Sequence, residues 1–195
     1  MTRATPMPPE ERRASIIEAT LPLLLQHGPS LTTKQVAEAA GVAEGTIFRV
    51  FDSLPALIDA TTREALSAKR LQRDLTAVGT PSSLQEVTEQ AIALLVRRMT
   101  DIRSLLHTVH HSANSDDGTC LRGELEARKH EVEDWLITRL EPHLHELSDE
   151  LRDNPRRFVE YLRTLALGHV FHHGDSALTT HDLAALALQG ARKAR

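Results

Sequence analysis

The stretch Leu31-Thr-Thr-Lys-Gln-Val-Ala-Glu-Ala-Ala-Gly-Val-Ala-Glu-Gly-Thr-Ile-Phe-Arg-Val-Phe51 predicts two short helices on either side of a glycine turn. Thr32 and Gln35 have the spacing of a capping box, in which each side chain bonds the other residue's backbone amide. Gly41 can adopt the left-handed backbone conformation that ends a helix. Two helices joined by a three-residue turn with a glycine are typical of a helix-turn-helix motif.

The second helix of this motif is predicted to have an apolar face and an outward face. The core-facing residues of the motif are Val36, Ala40, Val42, Ile47 and Val50, and the outward ones are Ala43, Glu44, Gly45, Thr46, Phe48 and Arg49. A glycine inside a helix costs about 1 kcal/mol relative to alanine, so Gly45 indicates that another backbone comes close. Thr46 can contact a phosphate or a thymine methyl, and Arg49 can pair with guanine in the major groove. In the alternative interpretation, Phe48 and Thr46 pack on the next helix and Gly45 has no role.

The rest of the chain is predicted to be helical, because Ala, Leu, Glu and Arg dominate and strand-like alternation is missing. Ser82 with Gln85 and Thr179 with Asp182 are predicted caps, and Pro155 is predicted at the first position of a helix capped by Asn154. A loop is predicted at Ser112–Thr119. The predicted helices cover about residues 9–27, 33–40, 44–51, 53–78, 82–100, 101–111, 120–142, 155–174 and 179–193.

Composition limits the classes of function that fit the chain. The 195 residues include 27 Asp and Glu against 23 Lys and Arg, so the net charge is −4 and general attraction to nucleic acid is weak. No run reaches the roughly 18 apolar residues of a membrane span. Residues 1–8 lack the apolar segment of a secretory signal and are predicted to be a disordered arm. The single cysteine, Cys120, fits a reducing compartment, so a cytoplasmic location is predicted.

Residues 9–60 resemble the N-terminal domain of the TetR family of bacterial transcriptional regulators. The segments that carry the resemblance are "IIEATLPLLLQHG", "LTTKQVAEAAGVAEGTIFRVF" and "SLPALIDA", and "LTTHDLAALALQGAR" resembles the family's final helix. The resemblance implies an all-α protein with a three-helix DNA-binding domain over residues 9–55, whose motif spans 33–51. It also implies a larger helical domain over 56–195 for effector binding and dimerisation. The implied function is a repressor that a small-molecule effector releases from a palindromic operator.

The resemblance also implies which residues contact DNA. These are Thr33 and Lys34 at the start of the first motif helix, the outward residues Ala43, Glu44, Gly45, Thr46, Phe48 and Arg49, and Ser53. Phe48 stands where the family usually has a tyrosine that bonds a phosphate. Ser53 is followed by Leu-Pro, where the family commonly has a lysine, and Ala43 replaces a frequent serine cap. We therefore expect weaker attraction to phosphates, which Arg3, Arg12 and Arg13 can partly offset.

Residues for the implied pocket and dimer interface are less specific. Pocket candidates are Leu95, Met99, Leu106, His107, Trp135, Tyr161 and Leu165, for which the alternative is an ordinary core role. Dimer candidates are Ala166, Gly168, Ala184, Ala187 and Gly190, because small residues permit close helix packing. Packing within one chain requires the same residues.

Two histidine clusters motivate a second class of function. His107, His110 and His111 have the same spacing as His169, His172 and His173, and histidines four residues apart share a helix face that can hold a transition metal. The alternative hypothesis is therefore a metal-sensing regulator or a metal-binding helical protein. Neither cluster includes a cysteine or paired carboxylates, so no metal and no cofactor are assigned. No nucleophile-base pair or phosphate loop points to an enzyme.

Overall fold

The computed structural model describes residues 7–112, 118–172 and 178–191. Within these ranges, side chains are described for all residues except 109–112 and 118–122. Ten α-helices and no β-strand occur within these ranges. The helices are α1 Pro9–His27, α2 Thr33–Ala40, α3 Glu44–Val50, α4 Leu54–Ala65, α5 Ala68–Thr76, α6 Leu84–Ser112, α7 Gly118–Leu140, α8 Asp149–Asp153, α9 Pro155–Phe171 and α10 Thr180–Ala191. The all-α prediction is confirmed. No described helix is both long enough and apolar enough to cross a membrane.

The chain divides into two compact units. One unit holds the described residues of 1–71 and 103–124, and the other holds those of 72–102 and 125–195. Packing thus groups α4 with the first unit, and the functional boundary between residues 55 and 56 stays a prediction.

The first unit is built around α1, which packs against α2, α3 and α4. The helix begins at Pro9, with Glu10 and Glu11 in its first turn, where the helix dipole favours negative charge. It ends at His27, and the predicted Gly28 is its C-cap. Large side chains from each of these helices are buried in one apolar core, namely Ile16 and Leu24 of α1, Val36 of α2, Ile47 of α3 and Leu57 of α4.

The second unit has its own core, in which α9 packs against α8 and α10. Its fully buried large side chains include Leu84, Ile92, Leu136, Leu140, Phe158 and Leu162. The predicted cap of α10 is confirmed, because the Asp182 amide donates to Thr179 Oγ1 at 3.1 Å and the Thr179 amide donates to the Asp182 carboxylate at 2.8 Å. The Thr179 hydroxyl, which donates to the same carboxylate at 2.7 Å, and the Thr179 amide lower the pKa of the Asp182 carboxyl.

Two predicted helices have different boundaries in the structure. The helix predicted over residues 53–78 is broken between α4 and α5, because Ser67 Oγ accepts from the Arg70 amide at 3.1 Å and starts a new helix. The restart predicted at Asp101 is wrong, because α6 runs without interruption from Leu84 to Ser112. Asp101 can cap a helix, but neither glycine nor proline stands near it to break the chain, so the helix continues through this position.

Smaller corrections concern caps and short elements. The cap of α6 is Ser83 rather than Ser82, since Ser83 Oγ accepts from the Glu86 amide at 3.2 Å. The Glu86 carboxylate accepts from the Ser82 amide and hydroxyl, which lowers its pKa. Asn154 precedes α9 as predicted, but its side chain makes no capping bond. A 3₁₀ turn at Glu141–Glu146 and the short helix α8 follow α7 and were not predicted.

The turn between α2 and α3 places the predicted glycine in the left-handed region. Gly41 has φ 65° and ψ 33°, and the Val42 amide donates to the Ala37 carbonyl at 3.0 Å. The capping box at the other end of α2 is also confirmed, with the Gln35 amide donating to Thr32 Oγ1 and the Thr32 amide to Gln35 Oε1. The angle between the two helices is therefore fixed by local backbone hydrogen bonds.

Replacement of Gly41 by alanine should destabilise the protein through the backbone alone. A Cβ at this position would meet nothing within 4 Å, so the penalty is the left-handed φ, about 1–2 kcal/mol. Urea unfolding followed by circular dichroism measures it. The matched control is Gly45→Ala, which lies in a helix with equally open space and should be neutral or stabilising by up to about 1 kcal/mol. Equal stability of the two variants would contradict the role given to Gly41.

Candidate nucleic-acid interface

The outward face of α3 is exposed as predicted. Ala43, Glu44, Gly45 and Arg49 are exposed, and the Phe48 ring keeps 51% of its surface accessible although it is one of few aromatic groups in the chain. Ile47, on the opposite side, is 0% exposed. The alternative in which Phe48 packs on the next helix is therefore not supported, although Thr46 is half-buried.

The absence of a side chain at Gly45 has no explanation within the described part of the chain. A Cβ built at this position meets no chain atom within 4 Å, and the glycine has an ordinary helical backbone. A residue with more helical preference would fit equally well in the isolated chain. The open surface here is suited to close approach by a molecule outside the chain.

The C-terminal end of α3 is held by Arg13 of α1. The Arg13 guanidinium lies 4.4 Å from the centroid of the Phe51 ring, and one of its nitrogens donates to the Val50 carbonyl at 3.4 Å. The Phe51 ring is itself buried. Sequence reasoning assigned Arg13 to compensating phosphate contacts, and the structure instead shows it engaged within the fold. The sequence gives no signal for this contact, because Arg13 lies 37 or more positions before the residues that it contacts.

Charges on this surface are few and mixed. Thr33 Oγ1 donates to the Glu44 carboxylate at 3.5 Å, so the starts of α2 and α3 are linked. Lys34 and Arg49 are exposed, and neither is held by an ion pair or hydrogen bond to the described residues. Ser53 caps α4, because its Oγ accepts from the Ala56 amide at 3.2 Å, and its hydroxyl hydrogen can still be donated. The predicted DNA-contacting residues therefore offer two cations, three hydroxyl groups and one carboxylate.

The seven predicted pocket residues do not come together. Leu95 and Met99 line a recess formed by α6, α7 and α9, which we call the α7–α9 recess. Trp135 is half-buried, and the Arg139 guanidinium lies 4.6 Å from the centroid of the Trp135 ring. Tyr161 is exposed. Leu165 is half-buried, while Leu106 and His107 belong to the other unit.

Sequence reasoning missed the cations of this recess. They are Arg98, Arg128, Lys129, Arg156 and Arg163, accompanied by the carboxylates Glu133 and Glu160. Several have an opposite charge three residues away, a pattern typical of a solvated helix surface. The position of Arg98 between the apolar Leu95 and Ile102 was the available signal. Burial lowers the pKa of the Arg98 guanidinium, and Asp74 at 3.7 Å opposes this effect.

Three of the predicted dimer residues lie inside the chain. Ala166 of α9 and Ala184 and Ala187 of α10 are each 0% exposed, so these small side chains serve the packing within one chain. Their assignment to a surface is corrected. Gly168 and Gly190 are exposed, and neither has a neighbour within 4 Å of an added Cβ.

The histidine clusters are described only in part. His110 and His111 lie among residues without described side chains, and His173 lies outside the described residues. His172 is exposed, and His169 is half-buried with its Nδ1 lacking a hydrogen-bond partner among the described residues. Within the described part of the chain, no three His, Cys, Asp or Glu residues are placed to hold a metal ion.

Comparison with known proteins agrees with this geometry. Residues 16–61 match the family described as bacterial regulatory proteins, tetR family. An uncharacterized HTH-type transcriptional regulator of Bacillus subtilis (strain 168), YvkB, is 29% identical over 177 residues, which span 88% of this chain and 75% of the relative.

Solved structures share the fold. A TetR-family regulator from Mesorhizobium loti has a TM-score of 0.60 at 14% identity, covering 95% of this chain and 96% of that one. One from Streptomyces coelicolor has a TM-score of 0.55 at 16% identity, covering 94% and 80%. The exposed α3 face, the matched N-terminal residues and the similar regulator agree that this chain is a DNA-binding transcriptional regulator, and its residues 16–61 are similar to the TetR family.

Proposed function

We propose that this regulator is a homodimeric repressor in the cytoplasm that binds a palindromic operator and is released from it by a small-molecule effector. The observation that carries the proposal is the outward face of α3, where Gly45 leaves the backbone open and Phe48 and Arg49 project without intramolecular cover. A helix with a small residue near its start can enter the major groove, which is about 12 Å wide. Arg49 then reaches a guanine edge or a phosphate.

Thr33, Lys34 and Ser53 are proposed to contact the phosphates on either side of the groove. Thr33 and Lys34 occupy the start of α2, and Ser53 occupies the start of α4, where free amides and hydroxyl groups attract anions. Because phosphate contacts set the register while base contacts set the sequence, this division assigns sequence reading to α3. Glu44 can accept a hydrogen bond from the amino group of cytosine.

The dimer is proposed to form through exposed apolar side chains of α9 and α10. Tyr161, Leu167 and Phe171 of α9 and Leu186 of α10 are all exposed, and the last keeps 50% of its surface accessible. Large apolar groups left exposed on two packed helices are typical of an interaction surface. A two-fold dimer places two recognition helices on half-sites about one DNA turn apart.

Release by an effector is proposed to be a population shift. A ligand that binds the released conformation more tightly lowers the fraction of dimers able to span two half-sites. The helix α6 is suited to this coupling, because it contributes residues 84–102 to one compact unit and 103–112 to the other. Its residues Leu95 and Met99 line the α7–α9 recess.

Selection from random DNA tests the proposed operator symmetry. The purified full-length protein should enrich inverted repeats whose half-site centres lie about 34–36 Å apart, or a multiple of one helical turn. Arg49→Ala should weaken or relax that selection, whereas Arg152→Ala, which removes an exposed cation of α8, should leave it unchanged. Enrichment of sequences without an inverted repeat, or near-equal affinity for selected and random DNA, would contradict the proposal.

Phe48→Tyr should tighten DNA binding. A hydroxyl at the tip of this exposed ring can donate to a phosphate, which is worth about 0.5–1.5 kcal/mol and therefore a few-fold in affinity. Salt titration of operator binding should show a slightly steeper dependence. Phe48→Leu serves as the control, since it keeps an apolar side chain and adds no donor. Unchanged or weaker affinity for Phe48→Tyr would show that this ring does not face the DNA backbone.

Leu186→Glu should weaken the dimer at least about tenfold, because each copy would bury a charge in place of an apolar side chain worth about 1.5–3 kcal/mol. Sedimentation equilibrium measures the dissociation constant, and the monomer should also bind the operator less tightly. Gln72→Glu adds the same charge to an exposed position of α5 and should not change assembly. A monomeric wild-type protein, or unchanged assembly of Leu186→Glu, would contradict the proposed surface.

A further inference from the structure

The α7–α9 recess has an apolar inner part and a charged outer part. The inner part, of about 90 Å³, includes the apolar residues Leu95, Met99, Ile102, Leu125, Val132 and Val159. The outer part, of about 240 Å³, is lined by Ile137, Arg156 and Glu160 together with residues of the inner part. Lys129, Glu133, Val159 and Arg163 line both, so the two parts adjoin. Their size is near the lower end of the roughly 300–1,000 Å³ typical of small-molecule sites.

More cationic than anionic residues line the recess. Five cations line it against the two carboxylates Glu133 and Glu160. The carboxylates that pair with Arg98, Arg128 and Lys129 are Asp74, Glu131 and Glu126, at 3.7, 3.0 and 3.1 Å, and none of these three lines the recess. Arg98, Arg128 and Lys129 therefore line the recess while pairing with carboxylates that lie outside it.

Two of these cations have hydrogen-bond donors that no described group satisfies. The Nε atoms of Arg128 and Arg163 are buried and have no partner among the described residues. A buried donor without an acceptor is unfavourable, and guanidinium groups bind carboxylates through paired N–H donors. Glu133 pairs with Arg163 at 3.2 Å and lies 3.9 Å from Arg156, whose nearer partner is Asp134 at 2.6 Å, so Glu133 lies between two guanidinium groups.

We propose that the α7–α9 recess binds a small organic monocarboxylate, with its carboxylate at Arg163, Arg156 and Lys129 and its hydrocarbon part against the apolar inner wall. This proposal rests on the proposed function and assigns its effector site to the recess. An inner volume of 90 Å³ holds about three groups the size of a water molecule or methylene, so the hydrocarbon part is short.

Other ligand classes fit the recess less well. A cation meets the surplus of positive side chains, and a neutral hydrocarbon leaves the guanidinium donors unsatisfied. Glu133 is half-buried at the centre of the charged part and would repel a second negative charge on the ligand. A single carboxylate therefore matches both the cations and the one central acid.

Calorimetric titration of the full-length protein without DNA tests the proposal. Butanoate, hexanoate and octanoate are compared with 1-hexanol and hexylamine, which match hexanoate in length and change only its charge. At least one carboxylate should bind about tenfold or more tighter than the alcohol and the amine. If no carboxylate exceeds the alcohol, the proposal is wrong.

Variants locate the binding to these residues. Arg163→Gln should weaken carboxylate binding about tenfold, and Arg156→Gln should weaken it as well without risk to folding, because this side chain is 60% exposed. Arg152→Gln, outside the recess, is the matched control. Wild-type carboxylate affinity in both folded recess variants would overturn the assignment.

A DNA-release measurement separates this inference from the proposed function. A carboxylate that binds through Arg163 and Arg156 but leaves the operator complex intact would support the ligand class and contradict its role as effector. Failure of every carboxylate to bind, together with selection of a palindromic operator, would overturn the ligand class and leave the repressor function in place.

Discussion

The short helix α3 depends on its neighbours for its conformation, and the proposed DNA-binding surface depends on α3. A helix of seven residues is too short to be stable alone, since isolated helices need roughly 12–15 residues even to be marginal. Ile47 buries one side of it, the turn at Gly41 fixes its start, and Arg13 holds its end through Phe51 and the Val50 carbonyl. These contacts involve only the core-facing side of α3, so the side chains on its outward side, such as Phe48 and Arg49, are not needed to hold the helix in place.

Weak overall charge changes how such a surface can work. With a net charge of −4, the protein gains little from general attraction to DNA, and the free cations of the α2–α3 surface are Lys34 and Arg49. In the proposed DNA complex, Glu44, which accepts from Thr33, repels phosphates that approach in the wrong register. Such a surface favours specificity over affinity. The carboxylate of Glu44 destabilises complexes with the wrong DNA sequence, and the two cations add little affinity for DNA of any sequence.

Sequence reasoning predicted the features that local chemistry determines. The Thr32–Gln35 box, the Gly41 turn and the Thr179–Asp182 cap each depend on residues a few positions apart, and all three are confirmed.

Features that depend on distant partners were missed or misassigned. Arg13 reaches Val50 and Phe51 across 37 and more positions, and the interior location of Ala166 follows from packing that no periodicity specifies. The recess cations have carboxylates three residues away in sequence, a pattern that is typical of a solvated helix surface. Other helices place apolar groups beside them, and the sequence pattern does not reveal this.

The helix α9 connects the proposed ligand site with the proposed dimer surface. Arg156 and Arg163 on one side of it share Glu133 of α7, while Tyr161, Leu167 and Phe171 of the same helix are exposed. The proposed carboxylate competes with Glu133 for these guanidinium groups, while Asp134 of α7 still holds Arg156 at 2.6 Å, so the contact between α9 and α7 changes mainly at Arg163. Charged hydrogen bonds of this kind are worth about 1.5–3 kcal/mol, and allosteric coupling typically needs about 1–3 kcal/mol. Re-pairing one such bond is therefore sufficient in magnitude to alter the geometry of the dimer, and no large rearrangement of the core is required.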